Sequence, residues 1–182
     1  MTISELARLV HKAVRGKPPK AILELCGEGY RPYYHLLYLL ALHTDKACVE
    51  LGVEKGRGCF AMALAGREVW GLDHTPRPEL EAVRARFPDF HFLERPSMPV
   101  PGDLEGKEIG VLHVDTEHSY ANAREEYRCY ERLLCAGSVV CFDDVHAMED
   151  DVGRFVSSLP WPAVFDDRLH ECGYAAVVYR GE

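Results

Sequence analysis

The sequence predicts an α/β domain with a doubly wound, mostly parallel sheet, and three observations carry that prediction. From residue 46 onward, short apolar runs of strand length alternate with stretches of helical periodicity. Two of the apolar runs, 109–115 and 139–143, flank a helix-like stretch and end in carboxylates, Asp115 in the first and Asp143-Asp144 in the second. The last two apolar runs, 163–167 and 174–179, are joined by only a short link, which requires an antiparallel hairpin at the edge of the sheet.

The elements follow in order. Residues 2–14 place Ile3, Leu6, Leu9, Val10 and Val14 near helical spacing, with Thr2 or Ser4 able to cap the start. Residues 21–26 read as a short helix ending at Gly27, although Gly27-Glu28-Gly29 could also close a strand and imitate a nucleotide turn. Tyr30-Arg31-Pro32 supplies no third glycine for that second reading. Residues 33–43 are apolar nearly all round, which predicts a helix buried on more than one side, packed on an edge of the domain or against a second copy. A homodimer is the expectation. Residues 1–45 thus form a helical preamble to a core spanning 46–182, within one domain of 182 residues.

In the core, strands are expected at 47–53, 68–73, 90–94, 109–115, 139–143, 163–167 and 174–179, seven in all. Helices are expected at 57–65, 78–87, 120–134 and 149–159, on both faces of the sheet. Ser119 can cap the third of these helices, where Ala123, Tyr127, Tyr130 and Leu134 share one face.

Composition is that of a globular chain, 47% hydrophobic and 27% charged. The net charge of −8, with no Lys/Arg-rich run, argues against a nucleic-acid partner. No apolar run approaches the ~20 residues of a membrane span, and the N-terminus shows no apolar segment followed by a small-residue cleavage site. Seven cysteines occur without a C-x-x-C pair, and Cys48, Cys59 and Cys141 sit in apolar runs. That usage fits reduced, buried thiols and a cytoplasmic location.

Two regions carry chemistry. The first βα turn, CVELGVEKGRGCF, holds Glu50, Gly52, Gly56 and Gly58. A glycine-rich turn before a helix lets backbone N–H groups approach a ligand. It matches neither G-x-G-x-x-G nor a phosphate loop. The next strand ends in Asp73, where a ribose diol is commonly gripped. The second region runs from HVDTEHSY to GSVVCFDDVH. If its two strands are neighbours, Asp115, Asp143 and Asp144 crowd one space together with His118. Three close carboxylates are unfavourable unless a cation neutralises them or one takes a proton. A divalent ion is the preferred explanation.

These motifs resemble those of class I S-adenosylmethionine (SAM) dependent methyltransferases. The second region narrows the resemblance to metal-dependent small-molecule O-methyltransferases of the catechol and macrolide-sugar (macrocin) type. The resemblance implies a Rossmann-like fold and SAM as cofactor. It places Glu50, Gly52, Gly56 and Gly58 in the cofactor turn, Asp73 on the ribose, and Ser97 near the adenine. Asp115 belongs to the cofactor side of the site as well as to the metal. A Mg2+ or similar ion would be held by Asp115, Asp143 and Asp144, with His118 as general base. Many relatives carry Ser or Thr where this chain has Gly58, so here the backbone alone faces the cofactor carboxylate. The implied substrate is a small molecule bearing a hydroxyl.

Blander readings stand beside these. Asp115 could be a helix cap, Asp143-Asp144 a solvated turn, and His118 a surface histidine. His146 reads as a satisfied loop histidine, His113 as a strand residue and Trp70 as core. Two other functions remain open: a SAM-binding or regulatory protein on the same fold, and a nicotinamide-linked oxidoreductase, the latter disfavoured by the missing dinucleotide fingerprint.

Overall fold

The computed structural model describes residues 1–147, 149 and 151–181. Helix α1 (Ile3–Arg15) begins with a reciprocal cap. The Thr2 hydroxyl accepts from the Glu5 N–H at 3.3 Å, and the Glu5 carboxylate accepts from the Thr2 N–H at 2.7 Å. Helix α2 (Lys20–Cys26) ends at Gly27, whose φ of +52° suits glycine. The segment before Gly27-Glu28-Gly29 is therefore a helix and not the strand of a nucleotide turn. Pro32 opens α3 (Pro32–Leu42) at a position where its missing N–H costs nothing.

The seven strands are β1 (Ala47–Leu51), β2 (Val69–Asp73), β3 (Phe90–Glu94), β4 (Ile109–Val114), β5 (Leu134–Asp143), β6 (Ala163–Phe165) and β7 (Tyr174–Val178). The core helices are α4 (Arg57–Leu64), α5 (Glu79–Arg86), α6 (Tyr120–Glu131) and α7 (Asp151–Ser158). One sheet has the order β3-β2-β1-β4-β5-β7-β6. The first five strands in that order are parallel, while β7 runs antiparallel to both β5 and β6. The winding reverses between β1 and β4, which opens a crevice beyond their carboxyl ends.

Two cores sandwich the sheet. Side chains of α1 through α5 pack on one face with Cys48, Val111, Val139 and Tyr174. Side chains of α6 and α7 cover the other face with Val49, Leu112, Val140 and Ala175. Helix α3 lies on a sheet face between α1 and α4 and not on an edge, and Leu36, Leu37, Leu39 and Leu40 are buried there within the chain. Cys26, Cys48, Cys59 and Cys141 are buried, and all seven cysteines are free. Among the described residues, no helix is long and apolar enough to cross a membrane.

Several element boundaries differ from the sequence expectation, most of all between α6 and β5. Helix α6 stops at Glu131 and β5 begins at Leu134, five residues earlier than expected. Leu134 pairs with Ile109 in the sheet, and Gly137, at φ +92°, lies inside the strand where the β4–β5 register shifts. Strand pairing here overrides the helical spacing of the apolar residues. The helix expected at 149–159 is seen as Asp151–Ser158, and residue 150 lies outside the described residues.

Candidate functional site

The β1–α4 turn is built to bring backbone close to the end of β4. Gly52 has φ +82°, and a Cβ there would overlap the carbonyl of Asp115. Gly56, at φ +74°, immediately precedes α4. Glu50 anchors the turn from below. Its carboxylate accepts the Cys59 N–H at 2.6 Å in the first turn of α4, and its other oxygen lies 2.9 Å from Nδ1 of His113. Register makes this contact, since Glu50 pairs with His113 across β1 and β4. A Cβ on Gly58 would collide with the Glu50 carboxylate. Gly58 thus leaves room for Glu50.

Beyond the strand ends lies an open cleft of about 700 Å³, lined among others by Gly52, Asp73, Ser97, Asp115, His118 and Glu126. Asp73 is only 12% exposed in its side chain and accepts backbone N–H groups of Glu54 and Thr75, each at 2.9 Å. On the wall formed by α6, the Ser97 hydroxyl donates to Glu126 at 2.6 Å, and the Thr116 hydroxyl donates to the other Glu126 oxygen at 2.7 Å. Glu126 is fully buried, and burial pushes its carboxyl above the usual range despite those donors.

Next to the cleft, adjacent strands β4 and β5 end in the three carboxylates, of which Asp115 lines it. The His118 ring stands between two of them, Nε2 at 3.4 Å from Asp115 and Nδ1 at 3.2 Å from Asp144. The Asp115 contact is the main force raising the His118 pKa, and Asp144 adds to it. Burial raises the Asp115 carboxyl, His118 pulls it back and Asp143 pushes it up again. Asp144 takes a left-handed backbone, φ +51°, and donates its N–H to Asp143 Oδ1 at 3.0 Å.

Two histidines absent from the expected site join this cluster. His170, from the β6–β7 link, places Nδ1 2.9 Å from Asp143 and 3.0 Å from Asp144. Asp143 first, then Asp144, push its pKa up to about 10. His113 is fully buried. Burial opposes its charge, but Glu50, with Asp115 and Asp143 behind it, more than offsets that and shifts the group upward. Among the described residues, two sets bring one donor atom each within 4.8 Å of one another: His113, Asp115 and Asp143; and Asp143, Asp144 and His170. Oxygen and imidazole donors gathered around Asp143 fit a divalent cation.

His113 had a readable signal, two residues before Asp115 on the same strand face. Glu126 had one too, a carboxylate at helical spacing between Ala123 and Tyr130. His170 had none, because it reaches the site from a link outside both motifs. His146 lies 3.0 Å from Asp167 and belongs to neither set. Trp70 is buried in the core.

The model of a methyltransferase domain family matches residues 49–145, from β1 and its glycine turn through the carboxylate pair. No curated protein matches the sequence. Among solved structures, the methyltransferase PaMTH1 of Podospora anserina, with SAH bound, aligns at TM-score 0.70 and 15% identity over 100% of this chain and 97% of that one. A putative caffeoyl-CoA O-methyltransferase from Staphylococcus aureus aligns at TM-score 0.70 and 14% identity, over 98% and 100%. CalS11, a TDP-rhamnose 3'-O-methyltransferase of calicheamicin biosynthesis, aligns at TM-score 0.67 and 17% identity, over 98% and 96%. The match spans more than half of the chain and takes in both motif regions, so the chain belongs to the methyltransferase domain family, the identity its sequence motifs implied.

Proposed function

We propose that this methyltransferase carries the methyl group of SAM to a hydroxyl oxygen of a small molecule, with a divalent cation at the carboxylate end of its cleft. The observation that carries the reading is the cleft at the winding reversal, with Asp73 on one side and Asp115 and His118 on the other, the His118 ring also reaching Asp144. The names of two structural neighbours, a putative caffeoyl-CoA O-methyltransferase and a sugar O-methyltransferase, support oxygen as the acceptor.

In this reading Gly52 and the turn after it present backbone to the cofactor, Asp73 accepts from the ribose hydroxyls, and Ser97 borders the adenine side. His118 takes the acceptor's proton at Nε2, the nitrogen with the longer carboxylate contact, while Nδ1 keeps Asp144. The acceptor oxygen forms its bond to the methyl carbon as the sulfur–carbon bond of SAM breaks. Asp115 and Asp144 stabilise the imidazolium that results. Asp115, Asp143 and Asp144 would hold the cation, which when bound stabilises negative charge growing on an acceptor oxygen.

Free and mostly buried thiols fit a cytoplasmic setting, which we propose on that ground. Most of the apolar surface of α3 is covered by its own chain, with Leu42 left exposed at its end; the homodimer remains a proposal that light scattering at micromolar concentration decides. For the activity, calorimetry with SAM and with NAD identifies the cofactor. Mass spectrometry of a hydroxylated-metabolite panel, with and without divalent ions, identifies the acceptor. Binding of SAM with no transfer to any hydroxyl would replace this reading with a SAM-binding protein on the same fold.

A further inference from the structure

We propose that the divalent ion is bound through nitrogen as well as oxygen, with His170 joining Asp143 and Asp144 as a ligand, so that the site prefers a first-row transition ion to Mg2+. This rests on the metal-dependent reading above and adds to it a ligand from outside both sequence motifs.

The contacts of His170 have the distances of an ion pair but not the alignment of a hydrogen bond. Nδ1 lies 2.9 Å from Asp143 Oδ1 and 3.0 Å from Asp144 Oδ1, yet neither Nδ1 nor Asp144 Oδ1 has a hydrogen-bond partner, and both atoms are buried. A protonated imidazole making a simple ion pair would point its N–H at one oxygen. Buried polar atoms left this way are costly. One cation among the three satisfies them together, and their donor atoms already lie within 4.8 Å of one another.

The ring of His170 is also held in place. Tyr33 meets it edge-on with centroids 5.6 Å apart, and Tyr33 itself stacks on Tyr174 at 5.0 Å.

A second imidazole, His113, lies near Asp143, the one carboxylate shared by the two sets, and the test separates it from His170. His113 is completely buried, its Nε2 has no hydrogen-bond partner, and one of its ring nitrogens lies within 4.8 Å of oxygens of Asp115 and Asp143. Its Nδ1 rests on Glu50, the carboxylate–histidine arrangement that orients imidazoles at metal centres. Imidazole donors suit Fe, Co, Ni and Zn, whereas Mg2+ takes carboxylate and water.

The test uses the whole chain. Co2+ is titrated by visible absorption and Mg2+ by calorimetry, and the Mn2+-loaded protein is examined by electron spin echo envelope modulation for coupling to 14N. Wild type is expected to bind Co2+ more tightly than Mg2+ and to show 14N coupling. His170→Ala should lose about 10–100-fold in Co2+ affinity, lose the 14N signal and change little toward Mg2+, with circular dichroism confirming the fold. An ion bound without 14N coupling in wild type overturns the proposal. So does coupling that persists in His170→Ala, which would assign the nitrogen to His113. Calorimetry with SAM in the same samples separates the layers. SAM binding with no divalent ion bound removes the metal reading and this proposal together, whereas no SAM binding removes the proposed function itself.

Discussion

Glu50 and His113 meet 2.9 Å apart across the β1–β4 pairing, with only 4% and 0% of their side chains exposed. The second Glu50 oxygen takes the Cys59 N–H at the start of α4. One carboxylate therefore ties the two central strands to the glycine turn and to the helix that follows it. Removing one partner of this buried pair leaves the other polar group uncompensated. Glu50→Ala should cost about 3–5 kcal/mol. Glu50→Gln should cost less, because its amide oxygen can still accept from Cys59. Urea unfolding of both variants measures this, and a loss below about 1 kcal/mol for the alanine variant would mean that the pair does not organise the turn.

Gly58 belongs to the same arrangement. A Cβ at this position meets the Glu50 carboxylate, so installing a serine hydroxyl here should not improve the site. Gly58→Ser is expected to destabilise the protein by about 1–3 kcal/mol through overpacking and to leave SAM affinity unchanged or weaker. Thermal melts and calorimetry give the two readings. A stable variant with tighter SAM binding would show that Glu50 can move aside.

What the sequence disclosed, and what it withheld, follows from how far each signal reaches along the chain. The alternation of apolar runs and the terminal hairpin disclosed a doubly wound, mostly parallel sheet with antiparallel strands at its end, because each depends on local pattern and short connections. Asp115 and Asp143 were legible because strand ends carry motif carboxylates and β4 and β5 turn out to be adjacent. His170 was not legible. It arrives through a link whose path is set by the β6–β7 pairing, and no spacing connects it to Asp143. The start of β5 was misplaced for a similar reason: the pairing of Leu134 with Ile109 is long-range, and the sequence near it continues a helical rhythm.

Asp73 already accepts two backbone N–H groups, from Glu54 and Thr75. These fix the carboxylate at the cleft edge without using all of its acceptor capacity. Asp73→Ala should weaken SAM binding by ~1–3 kcal/mol, since buried ribose hydroxyls would lose a charged acceptor. Titration calorimetry, with a melt to confirm the turn is intact, checks it. Unchanged affinity would move the ribose contact elsewhere.

Glu126 offers a pH test of the α6 wall. Burial raises its carboxyl above the usual 4.5, so the folded protein holds that proton to higher pH than the unfolded chain does. Stability then falls as pH rises from the unfolded value through the raised folded one. Glu126→Gln removes the titration and stays neutral. The stability difference should therefore shift toward the variant as pH rises above the unfolded value, read from urea midpoints at acidic and neutral pH. A difference that does not vary with pH would mean that the two hydroxyl donors from Ser97 and Thr116 fully offset the burial.

His118 separates chemistry from binding. Its ring touches Asp115 and Asp144 but is 27% exposed and borders the cleft, so an acceptor can reach it. His118→Ala should leave SAM binding nearly intact and slow the chemical step by ~10²–10⁴-fold if its nitrogen takes the proton. The two carboxylates hold its pKa up, so the neutral, proton-accepting form grows in only as pH rises. The wild-type rate should climb with pH through a midpoint above the usual 6.5, and the alanine variant should lack that step. Asp143→Asn should behave differently. It removes the carboxylate charge common to both donor sets, so cation affinity should fall and activity should partly return at high cation concentration. Single-turnover rates across pH and cation concentration distinguish the two. A His118→Ala rate restored by added cation would make this histidine a prop for the carboxylates and not the base.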